Sequence, residues 1–199
     1  MNRYFFAIGS TAVLLVVAVV FLAFRRAVSS SELHEAVVRS DIHELIRLLN
    51  AGRDIDELNR GEVLGIEIRT YPMRYENNVT PLFVAVGESN LAIVSFLLDN
   101  GANMVLGGGH DSSLHYAIIC TEPSIVLDMH NVKSRLPDKR QFDREESIEV
   151  VRMLVTHGAD INYRRNEYSE TPLELCERLR EYELREKIQK WSDEYNERN

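Results

Sequence analysis

The feature that most limits what this chain can become is a segment that occurs three times. Leu45-Ile-Arg-Leu-Leu-Asn-Ala-Gly52, Val94-Ser-Phe-Leu-Leu-Asp-Asn-Gly101 and Val151-Arg-Met-Leu-Val-Thr-His-Gly158 align without gaps. Each is an apolar stripe at helical spacing that ends on glycine, the residue best able to take the left-handed conformation that stops a helix. Eleven residues before each glycine stands Asp41, Asn90 or Ser147, a residue type whose side chain accepts hydrogen bonds from the free N–H groups of a first helical turn. A unit of this kind buries its apolar face only by stacking on its neighbours, so a row of similar helical modules is expected.

A second motif precedes each stripe and occurs once more after the last. Ser31-Glu-Leu-His-Glu-Ala36, Thr80-Pro-Leu-Phe-Val-Ala85, Ser112-Ser-Leu-His-Tyr-Ala117 and Thr171-Pro-Leu-Glu-Leu-Cys176 each begin with a capping hydroxyl and continue into a short helix packed through Leu and a small residue, with proline suited to the first helical position. Together with Asn100-Gly-Ala-Asn103 and His157-Gly-Ala-Asp-Ile-Asn162, these stretches resemble the ankyrin-repeat family, whose unit of about 33 residues reads TPLHxA and then a second helix ending in Gly-Ala-Asp. The resemblance implies an all-α solenoid of helix-turn-helix units, with repeats at 31–56, 80–104, 112–162 and 171–191 inside a domain spanning 31–191. A tail, 192–199, is expected to fray.

The spacings place two insertions. Leu33 to Gly52 and Leu82 to Gly101 are both 19 residues, whereas Leu114 to Gly158 is 44, so the third repeat carries an insertion at 122–146. Gly52 to Leu82 is 30 residues against 13 for Gly101 to Leu114, which puts extra chain into the first finger loop. There Glu62-Val-Leu-Gly-Ile-Glu-Ile-Arg-Thr-Tyr71 is β-branched and partly alternating, and an extended β-hairpin finger is expected. In the last unit Leu175, Leu179, Leu184, Ile188 and Trp191 form the apolar side of an otherwise charged segment, the pattern of a terminal cap with a polar outer face.

The N-terminus has a different character. No charged residue occurs from Tyr4 to Phe24, and 21 residues at about 1.5 Å each reach roughly 31 Å, the thickness of a bilayer's hydrocarbon core. A single transmembrane helix or signal anchor is therefore expected over 4–24, with Tyr4, Phe5, Phe6, Leu14, Leu15, Val19, Phe21 and Phe24 facing lipid and a linker at 25–30. The apolar run exceeds that of a cleaved signal peptide, and Leu22-Ala-Phe-Arg-Arg26 offers no small-residue cleavage site. The expected location is a membrane, as a single-pass protein of a bacterial inner membrane. Arg3 on one flank and Arg25 and Arg26 on the other leave both orientations of the domain open.

Charge and residue chemistry narrow the function. The formal charge is −8, and three of the arginines lie in the first 26 residues, so the remainder is more acidic still. A nucleic-acid binder displays a concentrated basic face, and no such block occurs. The cysteines, Cys120 and Cys176, form no CxxC or Cys/His cluster and are read as structural thiols. His34 and His115 occupy the motif's histidine position, and His157 stands at a helix end, where it can bond a terminal carbonyl. His110 and His115 are five apart with no third ligand in view, and Gly107-Gly-Gly-His110 lacks the Lys-Ser/Thr pair of a phosphate loop. No enzyme activity, metal or cofactor is expected, and no small-molecule substrate.

The resemblance implies protein recognition through finger loops and the concave face. In the first finger Arg60, Ile66, Ile68, Tyr71, Met73, Arg74 and Tyr75 mix the aromatic, aliphatic and arginine types found at binding hot spots. In the later insertion Ile125, Leu127 and Met129 are too apolar for a solvated loop and either cover the solenoid or make a second contact. The leading expectation is a membrane-anchored adaptor or scaffold, bound to the bilayer through its N-terminal helix and to another protein through these loops. The alternative is an immunity or inhibitor protein that occludes a toxin or enzyme, and an enzyme or small-ligand protein ranks behind both.

Overall fold

The computed structural model describes residues 32–59, 79–106, 112–122, 143–164 and 169–198, and these form eight helices. They are α1 Glu32–Val38, α2 Ile42–Asn50, α3 Pro81–Gly87, α4 Leu91–Asp99, α5 Ser113–Cys120, α6 Arg144–Thr156, α7 Pro172–Leu179 and α8 Tyr182–Arg198. Each odd-numbered helix packs on the even-numbered helix that follows it. The first helices touch in the order α1, α3, α5, α7, and the second helices in the order α4, α6, α8, which gives two stacked layers.

The local chemistry explains the helix ends. Thr80 Oγ1 accepts the Phe83 N–H at 3.2 Å and Thr171 Oγ1 accepts the Glu174 N–H at 3.1 Å, with Pro81 and Pro172 at the first helical positions. Glu174 reaches back to the Thr171 N–H at 2.8 Å, completing a capping box. Asp41 and Asn90 cap α2 and α4 as expected, accepting from Glu44 N at 3.0 Å and Ile93 N at 3.2 Å; caps of this type contribute about 1 kcal/mol each. At the other end Gly101 has φ +81° and Gly158 φ +88°. Each donates to the third carbonyl back, and the next residue donates to the fifth, the pairing of a Schellman turn. Gly52 closes α2 in the same way.

The first helices also end in left-handed residues, but these are Ser40 (φ 58°), Ser89 (φ 49°) and Arg180 (φ 63°), not glycine. Each turn sends the chain directly into the second helix. In the third pair the turn is missing: Thr121 and Glu122 stay hydrogen-bonded to Ile118 and Ile119, Thr121 has right-handed φ, and Pro123 follows. The chain leaves α5 there and returns at α6.

The core is one continuous cluster. Leu33, Leu82 and Leu114 are no more than 1% exposed, and Leu45, Leu97 and Leu154 supply the equivalent layer from the second helices. In the last pair Leu175, Leu184 and Ile188 are buried and Leu179 and Trp191 pack against the cluster, so the apolar side read from the sequence faces inward. Arg178–Glu170, Arg185–Glu177 and Lys187–Glu183 pair across its outer surface.

Several expectations are corrected. No helix among the described residues is long and apolar enough to cross a membrane. The described helices run from 7 to 17 residues, whereas a span needs about 20 apolar residues in succession. The fold class therefore loses its transmembrane helix, and the single-pass inner-membrane location resting on it is withdrawn. Residues 4–24, with Tyr4, Phe5, Phe6, Leu14, Leu15, Val19, Phe21 and Phe24, lie outside the described residues. The extended β-hairpin finger is also withdrawn. Among the described residues there is no strand, only an isolated antiparallel bridge between Asn59 and Val79, and one bridge is not the succession of cross-strand pairs that makes a ladder.

Two smaller differences concern helix limits. Ser147 is not a cap: Asp143 takes that role for α6, accepting the Glu145 N–H at 2.8 Å, with Glu145 and Glu146 favoured in the first turn by the helix dipole. Residues 144–146, assigned to the insertion, are thus helical. The segment after Trp191 continues α8 to Arg198, supported by Gln189–Asp193 and Arg198–Glu194 contacts one turn apart.

Candidate recognition surface

Beyond each second-helix glycine the chain enters a finger loop held by its own side chains. Asp54 Oδ1 accepts the Asp56 N–H at 3.0 Å, Asn103 Oδ1 accepts Val105 N at 2.8 Å and Leu106 N at 3.2 Å, and Asp160 Oδ1 accepts Asn162 N at 2.8 Å. These are Asx-type turns, which replace the backbone pairing that a short loop lacks. The first two fingers are joined directly, because Asp56 Oδ1 also accepts the Asn103 N–H at 2.8 Å. The second finger exposes two neighbouring aliphatics, Val105 and Leu106, each 44% accessible.

Charge around the first finger is partly buried. Arg53 and Glu57 pair at 3.0 Å with side chains only 20% and 14% exposed, and burial pushes the Glu57 carboxyl above its ordinary range against the opposing pull of Arg53. At the third finger Arg164 pairs with Glu174. The Thr171 backbone N–H, and then Arg164, hold the Glu174 carboxyl below its usual value.

Two histidines tie successive units together. His34 Nε2 donates to the Val79 carbonyl at 2.8 Å, and His115 Nε2 donates to the Glu170 carbonyl at 3.0 Å; each acceptor immediately precedes the capping threonine of the next unit. His115 Nδ1 accepts from Ser112 N at 3.3 Å and lies 2.8 Å from Ser112 Oγ, which fixes the proton on Nε2. In the second unit this position is Phe83, whose ring instead stacks on Tyr116 at 4.4 Å and 7°. One junction is joined by an aromatic face where the others use a polar bond.

The remaining reactive groups are occupied by structure. His157 lies at the end of α6 as read from the sequence, with Nδ1 2.7 Å from the Met153 carbonyl and Nε2 3.2 Å from Asp99 Oδ1. Cys120 and Cys176 are buried, and desolvation pushes each thiol up to about 12, where the nucleophilic thiolate is scarce at neutral pH. Among the described residues no group of three His, Cys, Asp or Glu side chains is arranged to hold a metal. A cleft of about 230 Å³ lies between the third finger and α8, lined by Gly158, Asp160, Asn162, Gln189, Asp193 and Tyr195. It is a polar surface groove without a nucleophile–base pair.

The ten residues singled out for partner binding, Arg60, Ile66, Ile68, Tyr71, Met73, Arg74, Tyr75, Ile125, Leu127 and Met129, all lie outside the described residues. What is described is the frame around them: Asn59 and Val79 on either side of the first insertion, Glu122 and Asp143 on either side of the second. Sequence reasoning missed Asp56 and Asn103 as a pair linking two fingers. Asn103 stands two residues after its helix-ending glycine and Asp56 four residues after its own, and only the stacking of neighbouring units brings them together.

Residues 77–106 match the model of the Ankyrin repeat family. Over 138 residues, 65% of this chain, the sequence is 28% identical to an ankyrin repeat protein of Fowlpox virus (strain NVSL), and the match covers 17% of that relative's length. The chain thus spans a small part of the curated relative it resembles. The matched stretch contains α3, α4 and the second finger, the unit with the most regular caps and no insertion. Residues 77–106 are thus similar to an ankyrin repeat, and the chain is similar to ankyrin-repeat proteins.

Proposed function

We propose that this protein is a recognition module, an adaptor that holds a partner protein against its finger loops and first helices. Ankyrin repeats suggest protein–protein interaction, and a stacked array offers a continuous surface whose specificity lies in its loops. The observation that carries the reading is the pair of fingers joined through Asp56 and Asn103 and exposing Val105 and Leu106. A rigid loop with exposed aliphatics beside carboxylates suits a partner segment that is basic and carries an apolar anchor. The insertions extend this surface: Arg60, Ile66, Ile68, Tyr71, Met73, Arg74 and Tyr75 are assigned to partner contact, with Ile125, Leu127 and Met129 as a second contact.

The test is capture of partners by the purified full chain, followed by identification and titration of the dominant one. Exchanging residues 60–78 for a short turn is expected to abolish that binding, and Val105→Asp with Leu106→Asp to weaken it at least ten-fold. A dominant partner that binds both variants as tightly as the parent would refute the assignment.

A further inference from the structure

The end of each first helix but the last is tied by a side-chain bond to the unit that follows. Ser40 Oγ accepts from Asn90 Nδ2 at 2.7 Å, and Ser89 Oγ lies 3.2 Å from Ser147 Oγ. Both ties join neutral groups. The third junction uses acids instead. Glu122 follows α5 and Glu181 precedes α8, standing eight residues after Leu114 and Leu173 as Asn90 stands after Leu82, and their carboxyl groups are hydrogen-bonded to each other. Ionised carboxylates only accept hydrogen bonds, so this contact exists only while one of the pair holds a proton.

The surroundings decide which one. The Glu181 side chain is only 11% exposed, and Arg144 Nη2 donates to its Oε2 at 2.6 Å. Desolvation pushes the Glu181 carboxyl up, but the bonds from Glu122 and Arg144 together outweigh it and hold the group below its usual range. Glu181 is therefore the acceptor, and the proton sits on Glu122. The Glu122 backbone is fixed by its N–H bond to the Ile119 carbonyl at 3.1 Å and by the buried Thr121 before it. Around the pair stand Arg144 on α6, Glu183, Arg185 and Lys187 on α8, Cys176 and Glu177 on α7, and Glu88 at the end of α3. Lys187 pairs with Glu183 and Arg185 with Glu177, which leaves Arg144 as the cation bonded to Glu181 among the described residues.

We propose that Glu122 and Glu181 form a proton-dependent clasp between the third and last units, closed while one proton is shared and opened by repulsion between two carboxylates once it is lost. The first two junctions are closed by hydroxyl and amide groups, which do not titrate over this range. Stability from the Glu122 proton is present in acid and lost as pH rises, whereas stability from the depressed Glu181 carboxyl is present above its unfolded value and lost as pH falls, when the ion pair with Arg144 goes. The clasp is thus tightest in mildly acidic solution and weakens on both sides.

The test is amide exchange at Glu122 in the full chain, expressed as protection relative to an unstructured chain, at about pH 5 and about pH 8, both above the ordinary carboxylate range. Protection in the parent is expected to be roughly ten-fold higher at the lower pH, the scale of one hydrogen bond to a charged group. In Glu122→Gln, whose amide donates to Glu181 at either pH, protection should be equal at both. Glu183→Gln removes a neighbouring carboxylate but not the clasp, and should keep the parent's dependence. Protection at Asn90, whose N–H donates to the Ala85 carbonyl at 3.1 Å in the neutral second junction, should be the same at both pH values in all three proteins. Equal protection at Glu122 across the two pH values in the parent, or the parent's dependence persisting in Glu122→Gln, would overturn the proposal. So would a matching response at Asn90, which would mark a loosening of the whole fold and not of one junction.

Discussion

The Tyr195 hydroxyl occupies the space that a side chain on Gly158 would need: a β-carbon there would lie 2.7 Å from Tyr195 Oη. Gly101 has nearly the same backbone, φ +81° against +88°, but nothing lies within 4 Å of its absent β-carbon. Alanine at Gly101 therefore meets only the strain of a left-handed backbone, about 1 kcal/mol. Alanine at Gly158 meets that strain and a clash with α8, and is expected to cost about twice as much. In chemical denaturation of the four-member cycle, adding Tyr195→Ala should return Gly158→Ala to the cost seen at Gly101. Additivity in that cycle would show that the contact carries no coupling.

The three non-glycine left-handed turns differ in what their side chains do. Ser40 Oγ accepts from Asn90 Nδ2 at 2.7 Å and Ser89 Oγ lies 3.2 Å from Ser147 Oγ, so each serine bonds the next unit while holding a strained backbone. Arg180 belongs to the last unit and is exposed. Arg180→Gly is thus expected to stabilise the protein by about 0.5–1 kcal/mol, read as a rise in thermal midpoint, while Ser40→Gly gains less because the bond to Asn90 is lost. A lower midpoint for Arg180→Gly would mean that the arginine side chain contributes more than its backbone costs.

Much of this architecture is legible in the residues because it is enforced locally. A glycine after an apolar stripe, a threonine before proline, and an aspartate or asparagine before a second helix each act within one turn, and Gly101, Thr80, Thr171, Asp41 and Asn90 do what their types suggest. Ser147 shows where the signal fails: Asp143 lies one turn upstream and competes successfully for the same helix. The extension of α8 was hidden for a different reason, since Ser192 to Asn199 is polar but for Tyr195, whose ring finds its place only against Gly158 at the end of α6. The transmembrane and hairpin expectations drew on apolar runs outside the described residues, and the described helices and the single Asn59–Val79 bridge supply neither. The Asp56–Asn103 link joins residues 47 apart, which no periodicity announces.

Ser113 stands where the second and last units have proline, and its hydroxyl is buried with no hydrogen-bond partner. An unpaired buried hydroxyl costs roughly 1–3 kcal/mol. Ser113→Ala removes that group without changing the backbone and is expected to raise stability by about 1 kcal/mol. Ser113→Pro should not match it, because the Ser113 N–H donates to the Met104 carbonyl at 2.9 Å, a bond that proline deletes. Equal midpoints for the alanine variant and the parent would show that the hydroxyl is satisfied in solution.

Cys120 and Cys176 link burial to pH. Each thiol is raised from 9.0 to about 12 by desolvation, so between those values the folded state retains a proton that the unfolded state has released. Stability from this source is intact below pH 9 and is lost as pH rises from there toward 12, with a slope of about 1.4 kcal/mol per pH unit for each thiol. Replacing Cys120 by alanine should flatten the alkaline limb of the stability profile while leaving its neutral region lower, since a buried side chain is trimmed. The same burial predicts that neither thiol reacts with a disulfide reagent at pH 8 in the folded protein and that both react after denaturation. Rapid labelling of either cysteine under native conditions would mean that α5 or α7 opens locally more often than a packed first-helix layer allows.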